Sequence, residues 1–270
     1  MGTGKVGHTG TLDKFAQGLL AVLAGKALKL SRWFSDQSKE YVGTVCFGSE
    51  TDTLDPEGSV VFHAPPPQRE DVLQALGSFT GKIMQEPPAY SAIHINGQRA
   101  SELSRKGQAP LMKKRPVEIY SLELLSWEPP FARLFVRCSS GTYIRSLARD
   151  LALAAGSRAH LTGLLRSRVG GFSVDDAWSA GAGEGTLPAL RPIDRHVIRA
   201  LGLPFFEVSA KDAEKMLCGK ALAPILDGLP AAPDGDFSAA VFLEEALVAM
   251  VEREGGRWKY GCVADSLRGF

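Results

Sequence analysis

The segment Gly7-His8-Thr9-Gly10-Thr11-Leu12-Asp13 indicates a ligand-approaching loop near the start of the chain. Its two glycines permit the backbone to lie close to a ligand, and Asp13 would present one carboxylate to that ligand. The alternative interpretation is that Asp13 caps a helix that follows it or closes an Asx turn. On residue chemistry alone, this structural role is favoured.

Nucleotide-binding motifs are present only as weak matches. Residues 2–7 match the dinucleotide pattern G-x-G-x-x-G, but that motif requires a preceding strand, which is absent here. Gly2 and Gly7 also have Walker spacing, although His8 stands where the phosphate-binding lysine is needed. A nucleotide-dependent enzyme is therefore retained only as a minor alternative.

The five histidines and four cysteines are scattered, without an H-E-x-x-H or Cys-x-x-Cys pair. We therefore expect no metal and no cofactor. Scattered cysteines suit a reducing compartment, and no apolar run approaches the roughly 18 residues of a membrane span. The prediction is a soluble cytoplasmic protein without membrane contact, with a monomer as the default.

Positive charge is concentrated in two segments, although the 270-residue chain carries a net charge of only +1. Residues 94–116 hold six basic side chains against one acid, among them Lys113, Lys114 and Arg115. Residues 133–168 hold seven arginines against one aspartate. Such patches in a near-neutral protein indicate a localised polyanion site, with nucleic acid as the leading ligand. The alternative is that both segments are merely solvated faces.

Periodicity and turn signals predict helices and strands in alternation, which suits an α+β fold with a mixed, largely antiparallel sheet and flanking helices. The predicted elements are a helix over residues 17–34, a strand over 41–47, a helix that buries Val72, Leu73, Leu76 and Phe79, a hairpin at Asn96-Gly97, two strands over 117–125 and 131–138, and a helix capped by Thr142 that buries Ile144, Leu147 and Leu151.

A domain boundary is predicted near residue 200, because the Gly/Ala-rich residues 179–187 and the prolines after them mark a change in composition. Residues 1–200 would form the larger domain, and residues 201–270 a small β-rich one. The turns expected in the small domain lie at Gly219, Asp227-Gly228, Asp234-Gly235 and Gly255-Gly256.

A series of motifs follows along the chain in a fixed order. They are the Gly7-to-Asp13 segment with Gly18-Leu19-Leu20, Lys39-Glu40-Tyr41, Gly48 with Thr51-Asp52-Thr53-Leu54-Asp55 and Gly58, Pro88-Ala89-Tyr90-Ser91-Ala92 with Asn96-Gly97, Ser140-Gly141-Thr142-Tyr143-Ile144-Arg145, and Ala159-His160-Leu161-Thr162 with Leu164 and the stretch 166–172. Together they closely resemble the bacterial tRNA pseudouridine-55 synthase family (TruB type). The resemblance covers residues 4 to about 180, and the last 65 or so residues resemble the family's PUA-type RNA-binding domain only weakly.

The resemblance implies a pseudouridine synthase fold that isomerises uridine 55 in the T-loop of tRNA. The N1–C1′ bond breaks, the base rotates, and a C5–C1′ bond forms, with no cofactor. The T-arm of tRNA is then the partner, gripped by an insertion at about residues 85–115 of the larger domain.

The same resemblance implies a role for each site residue. Asp13 would be the nucleophile, Tyr41 would stack on the uracil and serve in proton transfer, and Arg145 would pair with Asp13. The implied substrate-binding residues are His8, which would fill the gap left by the flipped base, Tyr143 and Leu164 in the uracil pocket, and Lys113, Lys114 and Arg115 on the tRNA.

Without the family, Tyr41 and Tyr143 would be assigned to strand packing and helix capping. Arg145 would be assigned to a surface ion pair with Asp150, although a five-residue spacing places the two poorly on a helix.

Three departures from the family pattern bear on activity. The chain begins about 30 residues later than the family, without the usual N-terminal strand and helix that carry a Lys-Pro motif. Lys14 replaces the usual proline, and Leu165 replaces the first of two usual arginines. The expected alternative function is accordingly a catalytically impaired, truncated relative that holds or refolds tRNA.

Overall fold

The computed structural model describes residues 4–179, 190–227 and 235–263, and the chain divides into two compact units. The first, called here the sheet unit, comprises Leu12–Leu19 and Asp36–Val169. The second unit comprises the described residues of Met1–Thr11, Leu20–Ser35 and Gly170–Phe270. The boundary near residue 200 and the domains on either side of it stay predictions. Most of the Gly/Ala-rich stretch, and Gly228 and Asp234 of the expected turns, lie outside the described residues.

The strands, in chain order, are β1 (Val6–His8), β2 (Gln17–Gly18), β3 (Val22–Ala24), β4 (Lys39–Phe47), β5 (Ser49–Thr51), β6 (Val60–His63), β7 (Gly81–Gln85), β8 (His94–Ile95), β9 (Gln98–Arg99), β10 (Arg115–Glu128), β11 (Phe131–Cys138), β12 (Ala159–Val169), β13 (Phe172–Ser173), β14 (Phe205–Glu207), β15 (Phe237–Leu243), β16 (Ala246–Glu254) and β17 (Arg257–Val263). The α-helices are α1 (Ser31–Ser35), α2 (Arg69–Leu76), α3 (Ala100–Arg105), α4 (Ile144–Ala154), α5 (Arg195–Ala200), α6 (Ala210–Leu217) and α7 (Ala223–Leu226), with 3₁₀ turns at Gly25–Leu30, Gly77–Phe79 and Val174–Asp176.

The main sheet of the sheet unit has the strand order β12-β4-β11-β10-β7, and each neighbouring pair is antiparallel. Strand β2 adds to β12 in parallel, so the sheet is mixed but largely antiparallel, as predicted. Alternate residues of β4 are buried, which places Tyr41 on the core side. Helix α4 covers that side, where Leu147 and Leu151 share one core with Tyr41. Full burial of a leucine contributes about 1.5–3 kcal/mol to stability.

Several predicted elements of the sheet unit are confirmed. The strands over 41–47, 117–125 and 131–138 lie within β4, β10 and β11, which are adjacent in the sheet. The Asn96-Gly97 hairpin joins β8 to β9. The apolar residues from Val72 to Phe79 lie on α2 and the 3₁₀ turn after it, with Leu73 as the exposed exception.

The single helix predicted over residues 17–34 is wrong. The region forms β2, β3, a 3₁₀ turn and only then the short helix α1. The reason is tertiary: Leu19 N–H donates to the carbonyl of Arg166 on β12 at 2.9 Å, so it is unavailable for a helical bond. Gly25, at φ 57°, interrupts the remainder.

The predicted cap of α4 is also wrong. Tyr143, not Thr142, is the residue that precedes the helix. Gln85 on β7 holds it, because its amide oxygen accepts from Tyr143 N–H at 2.8 Å and its amide nitrogen donates to Tyr143 C=O at 3.1 Å. Thr142 instead donates its hydroxyl to Ser139 C=O at 3.0 Å.

The second unit is rich in strands. Its sheet has the order β14-β15-β16-β17, with β14 parallel to β15, and a separate hairpin pairs β1 with β3. One of its cores contains Trp33 of α1, Ile198 of α5 and Phe242 of β15. Among the helices in the described ranges, none has the length and apolarity to cross a bilayer.

Candidate active site

Asp13 lies in a turn and not at a helix terminus. Its carbonyl accepts from Ala16 N–H at 2.9 Å, and the next regular element is the strand β2, so the helix-capping interpretation is wrong. Its carboxylate Oδ1 lies 2.9 Å from Nη2 of Arg145. The Asp13 side chain is 35% exposed, so one side of this ion pair remains open to solvent.

Arg145 enters the site from the first turn of α4 and is only 5% exposed at its side chain. Besides Asp13, Nη1 lies 3.2 Å from Asp55 Oδ2 and donates to Thr53 C=O at 2.7 Å. Nη2 also donates to Tyr90 C=O at 3.0 Å. The guanidinium is thus fixed by three separate segments of the sheet unit.

The surface ion pair between Arg145 and Asp150, which residue chemistry alone assigned to Arg145, is not formed. Asp150 instead pairs with Arg149, whose Nε lies 2.8 Å from Asp150 Oδ1.

Asp55 is a site residue to which no role was assigned from the sequence, although it belongs to one of the quoted motifs. Thr53 Oγ1 donates to its Oδ1 at 2.6 Å, and Glu57 N–H donates to the same atom at 3.0 Å. Gly58 closes this loop so tightly that a Cβ there would lie 2.2 Å from Asp52 Oδ1. The loop therefore holds a second carboxylate rigidly against Arg145.

Burial raises the pKa of Asp13, and the guanidinium of Arg145 opposes the rise by charge and by a hydrogen bond. The neighbouring carboxylates of Asp55 and Glu57 raise it further. Arg145 is the group that favours the ionised form at this position. Lys14, where the family usually has proline, pairs with Glu57 at 2.9 Å on the surface.

Tyr41 and Leu164 form a buried wall of the same core, from adjacent strands β4 and β12. Burial raises the pKa of Tyr41 to about 12, the Cys138 thiol adds to the rise, and the Arg166 guanidinium, which donates a hydrogen bond to the phenol oxygen, opposes it. The Asp13 carboxylate is close enough to raise this pKa as well. The phenol is therefore protonated at neutral pH and stays near the ion pair.

Tyr143 and Arg115 contact each other, with the guanidinium 4.9 Å from the ring centroid. Arg115 also donates to Gly141 C=O at 3.3 Å, so its guanidinium already has a hydrogen-bond partner within the sheet unit. Lys113 and Lys114 are exposed, and so is His8 on β1 of the second unit. The sheet unit thus brings together Asp13, Tyr41, Arg145 and Leu164. Tyr143 directly precedes the helix that carries Arg145, and the contacts predicted for Tyr143, His8 and the two lysines stay predictions.

Lys39 lies at the start of β4, the strand that carries Tyr41. Its burial can be tested by the pH dependence of the unfolding free energy. Burial lowers the pKa of its ammonium to about 8, and the positive charge of Arg166 lowers it too. Between pH 8 and about 10.5 the unfolded chain then binds more protons at this residue than the folded chain, so stability rises with pH. We expect the unfolding free energy of the unmodified chain, relative to Lys39→Met, to rise by about 1–3 kcal/mol across this window. Urea unfolding at both pH values measures it, and parallel pH dependences would contradict the prediction.

Among the residues that the structure describes, no group of three or more His, Cys, Asp or Glu side chains is arranged to hold a metal ion.

Comparison with known proteins identifies relatives of this chain. A model of the TruB family pseudouridylate synthase (N terminal domain) matches residues 1–144. The tRNA pseudouridine synthase B of Treponema denticola is 44% identical over 197 residues, which are 66% of this chain and 55% of that protein. The tRNA pseudouridine synthase B of Borreliella burgdorferi is 46% identical over 178 residues, which are 65% of this chain and 63% of that protein. The tRNA pseudouridine synthase B of Aromatoleum aromaticum is 44% identical over 226 residues, which are 81% of this chain and 72% of that protein. The match thus spans little more than half the length of the first of these relatives.

Solved structures support the fold. A Cbf5–Nop10–Gar1 complex contains a chain that matches with a TM-score of 0.63 and 22% identity, over 99% of this chain and 80% of that one. A chain in an H/ACA ribonucleoprotein bound to a substrate RNA containing 2′-deoxyuridine matches with a TM-score of 0.62 and 20% identity, over 99% and 73%. The resemblance drawn from the motifs is thereby confirmed: the chain belongs to the TruB family of pseudouridylate synthases.

Proposed function

We propose that this chain isomerises a uridine of tRNA to pseudouridine, with Asp13 as the nucleophile and uridine 55 of the T-loop as the target. The observation that carries the proposal is the buried Arg145 guanidinium paired at 2.9 Å with the partly exposed carboxylate of Asp13, in a chain of this family. The tRNA substrate is taken from the motif resemblance and from the names of the relatives. The T-loop position is taken from the motif resemblance alone.

The reaction needs no external group. Asp13 attacks C1′ of the nucleoside as the N1–C1′ bond breaks, and the uracil turns in its pocket. The C5–C1′ bond then forms as the bond between the Asp13 carboxylate and C1′ breaks, which frees the carboxylate. The proton on C5 is released to solvent and N1 gains a proton, so the product is an isomer of the substrate. Tyr41, close to Asp13, serves in the proton transfer.

The ion pair explains how a carboxylate in this pocket stays reactive. Burial alone disfavours the charged form of Asp13 and would leave a weak, protonated nucleophile. Arg145 opposes that bias by its charge and its hydrogen bond, and its own position is fixed by Asp55 at 3.2 Å and by two backbone carbonyls. We therefore assign Arg145 to holding Asp13 ionised and aimed at the nucleoside.

The wall beside the ion pair suits an extruded base. Flipping a base out of a structured loop costs a few kcal/mol, and stacking on an aromatic side chain returns roughly 1–3 kcal/mol. We assign Tyr41 and Leu164 to the uracil pocket and Tyr143 to its rim, where Arg115 restrains the ring. Loop RNA with splayed bases is the usual target of sequence-specific RNA readers.

Release of tritium tests the function. A tRNA transcript labelled with tritium at C5 of its uridines is mixed with excess chain, and counts are followed in the solvent. We expect one equivalent of tritium per tRNA, lost when the T-loop uridine is replaced by cytidine. Binding without any release would overturn the proposal and favour a protein that only holds or refolds tRNA.

The basic residues before β10 provide a separate test of tRNA binding. Lys113 and Lys114 are exposed, whereas Arg115 is partly committed to Tyr143 and Gly141, so the two lysines are the residues to change. In the Lys113→Gln/Lys114→Gln variant we expect weaker tRNA binding and a salt slope smaller by about 1.5, because each phosphate contact contributes roughly 0.7–0.9. Filter binding from 50 to 200 mM salt measures the slope. An unchanged slope would exclude these lysines from the interface.

A further inference from the structure

We propose that Arg166 is a positioning residue, which fastens the Asp13-bearing segment and the Tyr41 ring to one strand so that both face the substrate in a fixed relation. The proposal rests on the proposed function, in which Asp13 and Tyr41 are the reacting groups. Arg166 lies on β12, and its residue is only 3% exposed, so its role is internal to the sheet unit.

The first contact of Arg166 is with the segment that carries Asp13. Its side-chain Nε donates to Leu19 C=O at 2.7 Å, while its own carbonyl accepts from Leu19 N–H at 2.9 Å. The side chain and the main chain of one residue therefore hold the same residue of the segment, six positions after Asp13.

The backbone of this segment also lies directly against Arg166. Gly18 pairs in parallel with Arg166, and a Cβ at Gly18 would lie 2.3 Å from the Arg166 carbonyl oxygen. Gly18 also has φ +107°, a conformation that side-chain-bearing residues rarely adopt. Only glycine allows this close approach without displacement.

The second contact of Arg166 is with Tyr41. The two residues are register partners on the adjacent antiparallel strands β12 and β4, so their side chains lie on the same face of the sheet. The guanidinium is close enough to the phenol to lower its pKa by charge and by hydrogen bonding. A planar guanidinium presents five N–H donors in a fixed fork, so it can serve two acceptors in different directions at once. A lysine ammonium keeps the charge but not this geometry.

Two matched variants test the proposal in the full chain. Arg166→Lys keeps the positive charge of the buried residue, and Arg168→Lys makes the same change on the same strand, where the arginine is half-exposed and pairs with Glu40 at 3.7 Å. Amide hydrogen exchange of residues 12–19 is measured without tRNA. Single-turnover tritium release and tRNA affinity are then measured for each protein.

In Arg166→Lys we expect the Leu19 amide to exchange at least about tenfold faster than in the unmodified chain. We also expect bound tRNA to be converted at least about tenfold more slowly, because a small misplacement of reacting groups has a large effect on rate. The affinity for tRNA should stay within about threefold. In Arg168→Lys the amide exchange rate, the conversion rate and the tRNA affinity should all stay within about twofold of the unmodified chain. Should Arg166→Lys fail to fold, Gly18→Ala displaces the same segment without changing the guanidinium, and the same pattern is expected.

Three outcomes would overturn the proposal. Unchanged amide exchange in Arg166→Lys would show that the Arg166 side chain does not restrain residues 12–19, whatever the activity of the variant. Faster exchange with an unchanged conversion rate would make Arg166 structural only, and a parallel loss of rate and affinity would make it a tRNA contact. If the unmodified chain releases no tritium, the proposed function fails by itself, and the exchange result alone decides whether Arg166 fastens the segment.

Discussion

The Asp13→Asn variant is expected to bind tRNA within a few-fold of the unmodified chain and to lose single-turnover conversion by at least about 10⁴-fold, as removal of a catalytic nucleophile does elsewhere. The asparagine amide keeps the size and one acceptor oxygen, so it can still accept a hydrogen bond from Arg145. What it loses is the negative charge and the nucleophilicity. Tritium release at saturating enzyme, together with filter binding, measures the two quantities separately.

The matched control is Asp150→Asn. This aspartate also belongs to the sheet unit and also pairs with an arginine, Arg149 at 2.8 Å, in a partly buried pair that includes neither Asp13 nor Arg145. Its loss should change conversion by less than about threefold, because the substitution leaves the Arg145–Asp13 pair intact. Parallel loss of binding and conversion in Asp13→Asn would show that Asp13 supports the fold and does not react.

The Arg145→Lys variant is expected to lower conversion by at least about a hundredfold while tRNA affinity stays within a few-fold. One ammonium cannot hold Asp13 and Asp55 and also donate to two backbone carbonyls, as the guanidinium does. Asp13 would then be less well aimed, and Asp55 would be left a buried carboxylate with a poorer partner. Thermal unfolding monitored alongside activity separates the loss of rate from a loss of folded protein.

Arg149→Lys is the control for this substitution, because Arg149 lies one turn along the same helix. It donates to Glu86 C=O at 3.0 Å and pairs with Asp150, away from Asp13. Conversion by Arg149→Lys should fall by less than about fivefold. Equal losses in both variants would show that α4 as a whole, and not the Arg145–Asp13 pair, is being perturbed.

Local pattern predicted the elements whose residue types or apolar spacing favour one kind of secondary structure within a short stretch of sequence. The β-forming residues of β4 and the apolar spacing of α4 are visible in a few residues of sequence, and Leu147 and Leu151 are buried as expected. The helix expected over residues 17–34 failed because Leu19 bonds to Arg166, 147 residues away, and Gly18 can approach that strand only because it lacks a side chain. The residue types around Leu19 do not indicate a hydrogen-bond partner so far away in the sequence.

Contacts between residues far apart in sequence also limited the prediction of the site. Residue chemistry alone favoured a capping role for Asp13 and a surface role for Arg145, whereas the two meet across 132 residues of chain. Family resemblance supplied that pairing, which the structure contains. It assigned no role to Asp55, whose contact with Arg145 depends on the closed loop at Gly58.

The pH dependence of the single-turnover rate tests most directly whether an ionised Asp13, held by Arg145, does the chemistry. Asp13 is faced by Arg145, Asp55 and Glu57, and burial raises its pKa above the ordinary 3.8. Conversion by the unmodified chain should therefore rise with pH, with a midpoint above that value, and then level off. In Arg145→Gln, which removes the opposing positive charge, the midpoint should move to higher pH. Identical midpoints in the two proteins, or a rate independent of pH, would contradict the role of Asp13 as the reacting carboxylate.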